Sequence, residues 1–303
     1  MSTTTKSPKK VARTAYQIAK STLPHYAHPY SPQKYTQPQL FACLVLKIFF
    51  KTDYRGIVEI LNDSPELCKC FTLETVPHFT TLQKASKRLL QSKTAAELLY
   101  STVEQSTIDL AAIDSTGLEA GHISRYFVRR KRSKELETYE ETEYKRFPKL
   151  AVVCDCKNHL ILSAITTRGP SVDVNQFCKT LKPAAEQFNI RHLLADAGYD
   201  SEKNHQYARE VYQIKTTILP KAGRPTNKLP KTKYRREMKT DFDDETFGQR
   251  WQVETVFSMI KRNFGDVIRA RKYWSQCREM MLLVITHNIA VILLVKELFY
   301  RAS

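Results

Sequence analysis

Two short apolar runs that each stop on an aspartate constrain this chain more than any other feature. Residues 108–113 read IDLAAI and lead into Asp114-Ser115-Thr116-Gly117; residues 192–195 read HLLA and lead into Asp196-Ala197-Gly198-Tyr199. Short apolar runs bounded by turn residues read as buried strands. A lone carboxylate is costly to bury, so an acid at the end of each strand needs a reason. Asp and Gly favour turns, and turn chemistry accounts for either acid taken alone. Open α/β sheets, however, bind ligands at the carboxyl ends of their strands. If the two strands are neighbours, their acids converge and repel each other unless a cation lies between them. Hard carboxylate oxygens suit Mg2+ or Mn2+.

The rest of the chain divides into a helical first part and an alternating second part. Residues 1–14 read as a basic flexible tail. Thr36-Gln37-Pro38-Gln39 fits a capping box opening a helix to about residue 50, and Asp53 can cap a short helix over 54–61. A further turn or two follows Ser64-Pro65. Thr80-Thr81-Leu82-Gln83 is a second capping-box pattern, opening a helix that carries Lys84, Lys87 and Arg88 on one face. Short helices with a basic last member suggest a helix-turn-helix-like DNA-binding unit over 15–106; a solvated face on a plain helical bundle is the simpler alternative. Another helix is expected near 95–104.

From about residue 107 strands and helices alternate, which argues for an α/β domain over 107–303. Residues 150–154 and 159–165 flank Asp155-Cys156-Lys157-Asn158 and read as a hairpin. Helices are expected over 175–188 and 201–211, a strand over 214–219, and a helical run after Ser275. Asp200 reads as the cap of the helix that starts near Ser201. Residues 220–239, rich in Lys, Arg and Pro, read as an exposed basic loop. Two apolar runs, 40–46 and 280–295, fall short of the roughly 18 residues a membrane span needs, the second being interrupted by Thr286-His287-Asn288, so both read as buried helices.

Charge narrows the partner. Lys plus Arg number 48 against 31 acids, a net charge of +17, which implies a polyanion and nucleic acid first. A ribosomal or membrane-surface protein shares that excess. The 7 cysteines include two C-x-C pairs and no C-x-x-C, against a disulfide framework or zinc site. They fit ordinary buried thiols in a reducing, cytoplasmic setting, and the polar basic N-terminus has no apolar stretch of a signal peptide. The histidines lack metal-ligand spacing, and His287, in an apolar run, reads as a hydrogen-bonded core residue. No G-x-S-x-G occurs, so a Ser-His-Asp hydrolase is not supported.

A third acid lies in a helix over 247–264. At about 100° per residue, Val253, Val256, Phe257, Ile260 and Phe264 form one apolar face. Phe247, Arg250, Glu254 and Lys261 form a stripe beside it. Glu254 then sits at the margin of the buried face between two cations. An exposed Arg–Glu pair worth a few tenths of a kcal/mol is one reading; a carboxylate held over the strand-end acids, with Arg250 and Lys261 aimed at phosphates, is the other.

These residues resemble the DDE transposases of prokaryotic insertion sequences. The family's first acid lies on the first strand, as Asp114 does. Its second follows an apolar strand in a D-x-G-Y context, matched by Asp196-Ala197-Gly198-Tyr199. Its third lies in Y-x2-R-x3-E-x6-K, matched by Phe247, Arg250, Glu254 and Lys261 with Phe247 in place of the tyrosine. Gly169-x3-Asp173 and Val76-Pro77-x-Phe79-Thr80-Thr81-Leu82 are similar too. The resemblance implies a ribonuclease H-like mixed sheet flanked by helices. It also implies catalytic and metal-ligating roles for Asp114, Asp196 and Glu254, and two Mg2+ ions for which Mn2+ substitutes. Arg250 and Lys261, with Lys84, Lys87 and Arg88, become DNA-binding candidates. Residues 129–134 and 220–239 become sources of sequence-independent phosphate contacts.

The implied activity is cleavage at element ends and joining of the 3′-hydroxyl to target DNA. The partners are double-stranded terminal repeats and target, bound by a homodimer or higher oligomer, with no membrane. A metal-dependent nuclease without strand transfer and a non-catalytic DNA-binding regulator are the competing classes.

Overall fold

The computed structural model describes residues 5–30, 32–120, 126–132, 139–221 and 229–302. Six helices come first: α1 (Pro8–Thr22), α2 (Gln37–Phe49), α3 (Tyr54–Asn62), α4 (Pro65–Lys69), α5 (Phe79–Leu89) and α6 (Ser92–Tyr100). The capping box of α2 forms as its sequence predicts: the Gln39 amide N–H donates to Thr36 Oγ1 at 3.2 Å, and the Thr36 N–H donates to Gln39 Oε1 at 2.9 Å. Asp53 caps α3 by accepting the N–H groups of Arg55 and Gly56. α2 is apolar nearly all round and is buried from Leu40 to Ile48, so it forms the centre of the helical half.

Two expectations fail in this half. The basic tail does not reach residue 14, because Ser7 caps α1 at Pro8 and buries Val11, Ala12, Ala15 and Ala19. Four small or apolar residues at helical spacing outweigh the local charge. Nor does Thr80 cap α5. His78 is the cap, its Nδ1 meeting the Thr80 hydroxyl at 2.9 Å, so the helix opens at Phe79.

The strands follow: β1 (Thr107–Gly117), β2 (Glu119–Ala120), β3 (Tyr126–Arg132), β4 (Tyr139–Lys145), β5 (Phe147–Asp155) and β6 (Ile161–Gly169). Next come α7 (Phe177–Gln187), β7 (Asn189–Ala195), α8 (Glu202–Gln206), β8 (Lys215–Ile218), α9 (Lys233–Thr240), α10 (Asp244–Phe247), α11 (Trp251–Phe264), β9 (Val267–Ile268) and α12 (Tyr273–Ala302). Five strands form one sheet in the order β6-β5-β1-β7-β8, with β5 antiparallel to both neighbours and β1, β7 and β8 parallel. This is the mixed, helix-flanked sheet expected of the sequence. β3 pairs with β4 in a separate ribbon, and β2 pairs with β9.

Alternation along the strands sorts the sheet's two faces. Ala111, Ile113, Leu193 and Ala195 pack with Phe177, Leu181 and Ala184 of α7. Ala112, Leu150, Val152 and Leu194 point to the other face, into a cluster shared with α11, α12 and the N-terminal helices. One continuous core therefore joins the helical half to the sheet.

α12 corrects the expectation of a run too short to span a membrane. Its segment Tyr273–Leu294 is long and apolar enough by length and composition, but 67% of its most apolar window is packed inside the protein. The polar triplet explains the packing: Asn288 receives the Ile161 N–H at 2.9 Å and donates to the Ile161 carbonyl and the Thr102 hydroxyl, each at 2.8 Å. His287 is a core histidine as expected, but only half satisfied: its Nε2 meets the His159 carbonyl at 2.9 Å, while its Nδ1 is buried with no hydrogen-bond partner among the described residues.

The basic loop expected over 220–239 is also corrected. Residues 222–228 lie outside the described residues, but 233–240 form α9, which buries Tyr234 and Met238. Asp200 helps hold it. Rather than capping α8, it accepts Arg235 Nε at 2.8 Å, Arg235 Nη2 at 3.0 Å and the Lys221 N–H at 2.9 Å. Of residues 129–134, 129–132 lie in β3 and 133–134 fall outside the described residues. All 7 cysteines are free thiols.

Candidate active site

The register of the sheet brings the two aspartates together. Ile113 is the cross-strand partner of Ala195 in the parallel β1–β7 pair, so Asp114 and Asp196, the next residues, lie side by side where that pairing ends; β1 itself does not stop at Asp114 as expected but runs on to Gly117, held by its pairing with β5. Asp114 is 19% exposed. Its Oδ1 accepts the Ser115 N–H at 2.7 Å. Burial pushes its pKa up to about 6; Asp196 and Asp173 add to the rise, and the Ser115 N–H and Arg250 oppose it. The neighbouring acids therefore add to the cost of ionising Asp114, as like charges in one pocket do.

Asp196 both turns the chain and faces the site. Its Oδ1 accepts the Gly198 N–H at 2.8 Å, capping a short 3-10 turn over Ala197–Tyr199. Tyr199 is fully buried against Phe177. The D-x-G-Y stretch is therefore a turn as expected, and its carboxylate lies close enough to act on Asp114.

Glu254 reaches this edge through Arg250. The expected continuous helix from Phe247 is broken by a 3-10 turn, Gly248–Arg250, which packs against β7 before α11 begins. From there Arg250 Nη2 donates to Glu254 Oε1 at 2.6 Å and Nη1 approaches Asp114 Oδ2 at 3.4 Å. One guanidinium thus spans two of the three acids. The buried face of α11 is as expected, with Val253, Val256, Phe257, Ile260 and Phe264 all in the core. Glu254 lies further out than the margin predicted for it, at 57% exposure.

Among the described residues no three His, Cys, Asp or Glu side chains gather closely enough to hold an ion. The donor chemistry nonetheless fits a hard divalent cation. Asp114, Asp196 and Glu254 offer carboxylate oxygens at one sheet edge, and the mutual repulsion registered at Asp114 is what a cation relieves.

Lys261 lies in the last turn of α11, about 10 Å along the axis from Glu254. Lys84, Lys87 and Arg88 are exposed on α5 in the helical half. They do not share one surface: Lys84 and Arg88 line a hollow with Tyr35 and Gln37, and Lys87 lines a different one with Arg269 and Arg278.

Three neighbours of the site were not among the candidates. Asp173 Oδ1 accepts the Ser115 hydroxyl at 2.7 Å and pairs with Lys149 Nζ at 2.6 Å. Lys149 also donates to the Ser171 carbonyl at 2.8 Å. The available signal was a lysine inside the apolar run of β5, a residue seldom buried unless paired.

The mixed sheet thus carries two neighbouring aspartates, with Glu254 linked to one of them by Arg250. Residues 105–289 match the family described as Transposase DDE domain, and the chain belongs to that family. Among solved structures, the chain is similar to a piggyBac transposase synaptic complex with hairpin DNA, determined by cryo-electron microscopy. The identity is 10% and the TM-score 0.47, over 94% of this chain and 71% of that one. No curated protein matches the chain.

Proposed function

We propose that this transposase cleaves the phosphodiester at an element end and joins the freed 3′-hydroxyl to target DNA, with Asp114, Asp196 and Glu254 as its catalytic acids. The observation carrying this reading is the placement of Asp114 and Asp196 side by side where the parallel β1–β7 pairing ends, with Arg250 tying Glu254 to the same place. The three carboxylates would hold a pair of Mg2+ ions, or Mn2+ in their place. Bound there, such ions supply activation of the attacking oxygen and charge relief at the leaving oxygen of an in-line displacement.

The chain's own residues orient the reaction. Asp114 is fixed by the Ser115 N–H, and Asp196 by the Gly198 N–H. Arg250 holds Asp114 and Glu254 together and is the nearest donor to receive a scissile-strand phosphate; Lys261 follows along the same helix stripe. The helical region 15–106 serves as the DNA-binding part, with Lys84, Lys87 and Arg88 on phosphates, and residues 107–303 carry the chemistry. Terminal repeats and target DNA are the partners, engaged by a homodimer or larger assembly at the nucleoid.

The decisive experiment assays Asp196→Asn on end-containing DNA with Mg2+ or Mn2+. Cleavage is expected to disappear, and cleavage at the wild-type rate would remove Asp196 from the mechanism.

A further inference from the structure

A second charged hollow lies between the helical half and the start of α12. Lys47, Lys87, Arg269, Arg271, Lys272 and Arg278 line it. The acids facing them, Asp53 and Glu279, are already engaged. Asp53 caps α3, and Glu279 accepts the N–H groups of Arg269 at 3.3 Å and Ala270 at 2.8 Å.

The central group is Lys47. It projects from α2, is 6% exposed, and holds its ammonium 5.1 Å from the centroid of the Tyr54 ring. Among the described residues its ammonium has no hydrogen-bond or ion-pair partner, and Glu279 and Asp53 act on it only through longer-range charge. Burial pulls its pKa down, Glu279 and Asp53 oppose that shift, and Arg269 adds to it. A buried ammonium without a direct ion pair is costly to keep, and an anion entering this cationic hollow lowers that cost.

We infer that this cleft binds backbone phosphates of duplex DNA, at a site apart from the acid cluster and joined to it by α11. The inference rests on the proposed DNA-cleaving function. From Glu254 to Phe264, α11 rises about 15 Å. Phe264 borders a smaller hollow that shares Lys47, Arg269 and Glu279 with the cleft. At a rise of about 3.4 Å per nucleotide, the helix spans about four to five nucleotides, so one duplex reaches both places. The two walls come from residues 47–87 and 269–282, at opposite ends of the sequence, so DNA bound here also clamps the helical half to α12.

The test measures binding of duplex DNA of unrelated sequence by fluorescence anisotropy across a salt series, using the full chain. Lys47→Met is expected to weaken binding and to lower the slope of log K against log salt by about 0.9, the value for one lost phosphate contact. Its Tm is expected to hold or rise, because an unpaired buried charge gives way to an apolar chain of similar shape. The exposed pair Arg271→Gln with Lys272→Gln lowers the slope by about 1.8 without touching the core. Lys182→Gln, on α7 across the sheet, serves as the control and leaves the slope unchanged.

If the cleft variants match Lys182→Gln in affinity and slope while wild type binds DNA, this inference falls and the proposed function stands. If wild type binds no duplex, the proposed function falls and takes the inference with it. Calorimetry with inorganic phosphate separates the two sources of the anion: phosphate binding lost in Lys47→Met, with DNA affinity unaltered, overturns the assignment to DNA.

Discussion

Asp196 Oδ1 accepts the Gly198 N–H at 2.8 Å, and a β-carbon built on Gly198 would stand 2.9 Å from that same oxygen. No left-handed backbone is involved, so the carboxylate above it is what the glycine accommodates. Gly198→Ala must push the Asp196 carboxyl aside by a few tenths of an ångström. A full 1 Å misplacement at a reacting group costs about 100-fold in rate. With Asp196 in its proposed role, cleavage of end-containing DNA is expected to fall by less than that factor, with Tm close to wild type.

Asp114 carries a different signature. Its folded pKa, about 6, lies above the ordinary 3.8, so the native state holds its proton longer than the unfolded chain does. Stability from this group is fully present below 3.8 and declines as pH rises to about 6. At neutral pH Asp114→Asn is expected to raise metal-free stability by at most about 3 kcal/mol, with no gain near pH 3.8. In thermal melts Mg2+ stabilises wild type and leaves the variant unmoved.

His287 works in the opposite direction. Burial depresses its pKa from 6.5 to about 4, so the unfolded chain takes up a proton that the folded one refuses. The resulting stability is present above pH 6.5 and is lost as pH falls toward 4. Denaturant titrations of His287→Gln between those values are expected to show a shallower pH slope, flattened by at most about 3 kcal/mol. His192 and His205, also depressed to about 4, keep the remaining slope.

Asn288 joins α12 to the sheet edge through three hydrogen bonds, two of them to the main chain of Ile161. Asn288→Leu strands both backbone groups in the core. A loss of about 2–4 kcal/mol follows from the cost of unsatisfied buried polar groups, measurable as a lower denaturation midpoint.

Arg250 is the only described cation paired with two of the proposed catalytic acids. Arg250→Ala removes the bridge between Asp114 and Glu254. DNA cleavage is expected to drop by roughly 10- to 100-fold, consistent with about 1.5–3 kcal/mol for a charged hydrogen bond. Lys261→Ala should weaken DNA binding more than it slows cleavage.

The strands were legible because their signals are local. Residues 108–113 and 192–195 carry apolar runs that end at turn residues, and the parallel pairing of β1 with β7 follows once both are core strands. The α11 face was legible from its 3.6-residue period. What escaped was set by distant partners. The helix at Pro8 exists because Val11 and Ala15 find a core formed by α2 and α12. α9 exists where a loop was expected because Asp200 and Glu202 grip Arg235 and the start of that helix. Lys149 and Ser115 became visible only when folding set them beside Asp173.

The shared core also fixes the order in which the fold can be completed. The sheet face beneath α11 and α12 is closed by Val253, Val256, Leu282, Val284 and Ile289, all of which follow both aspartates in the chain. A nascent chain that ends before Trp251 therefore holds its sheet with that face uncovered, and the helical half and the sheet lock together only after α12 has been made.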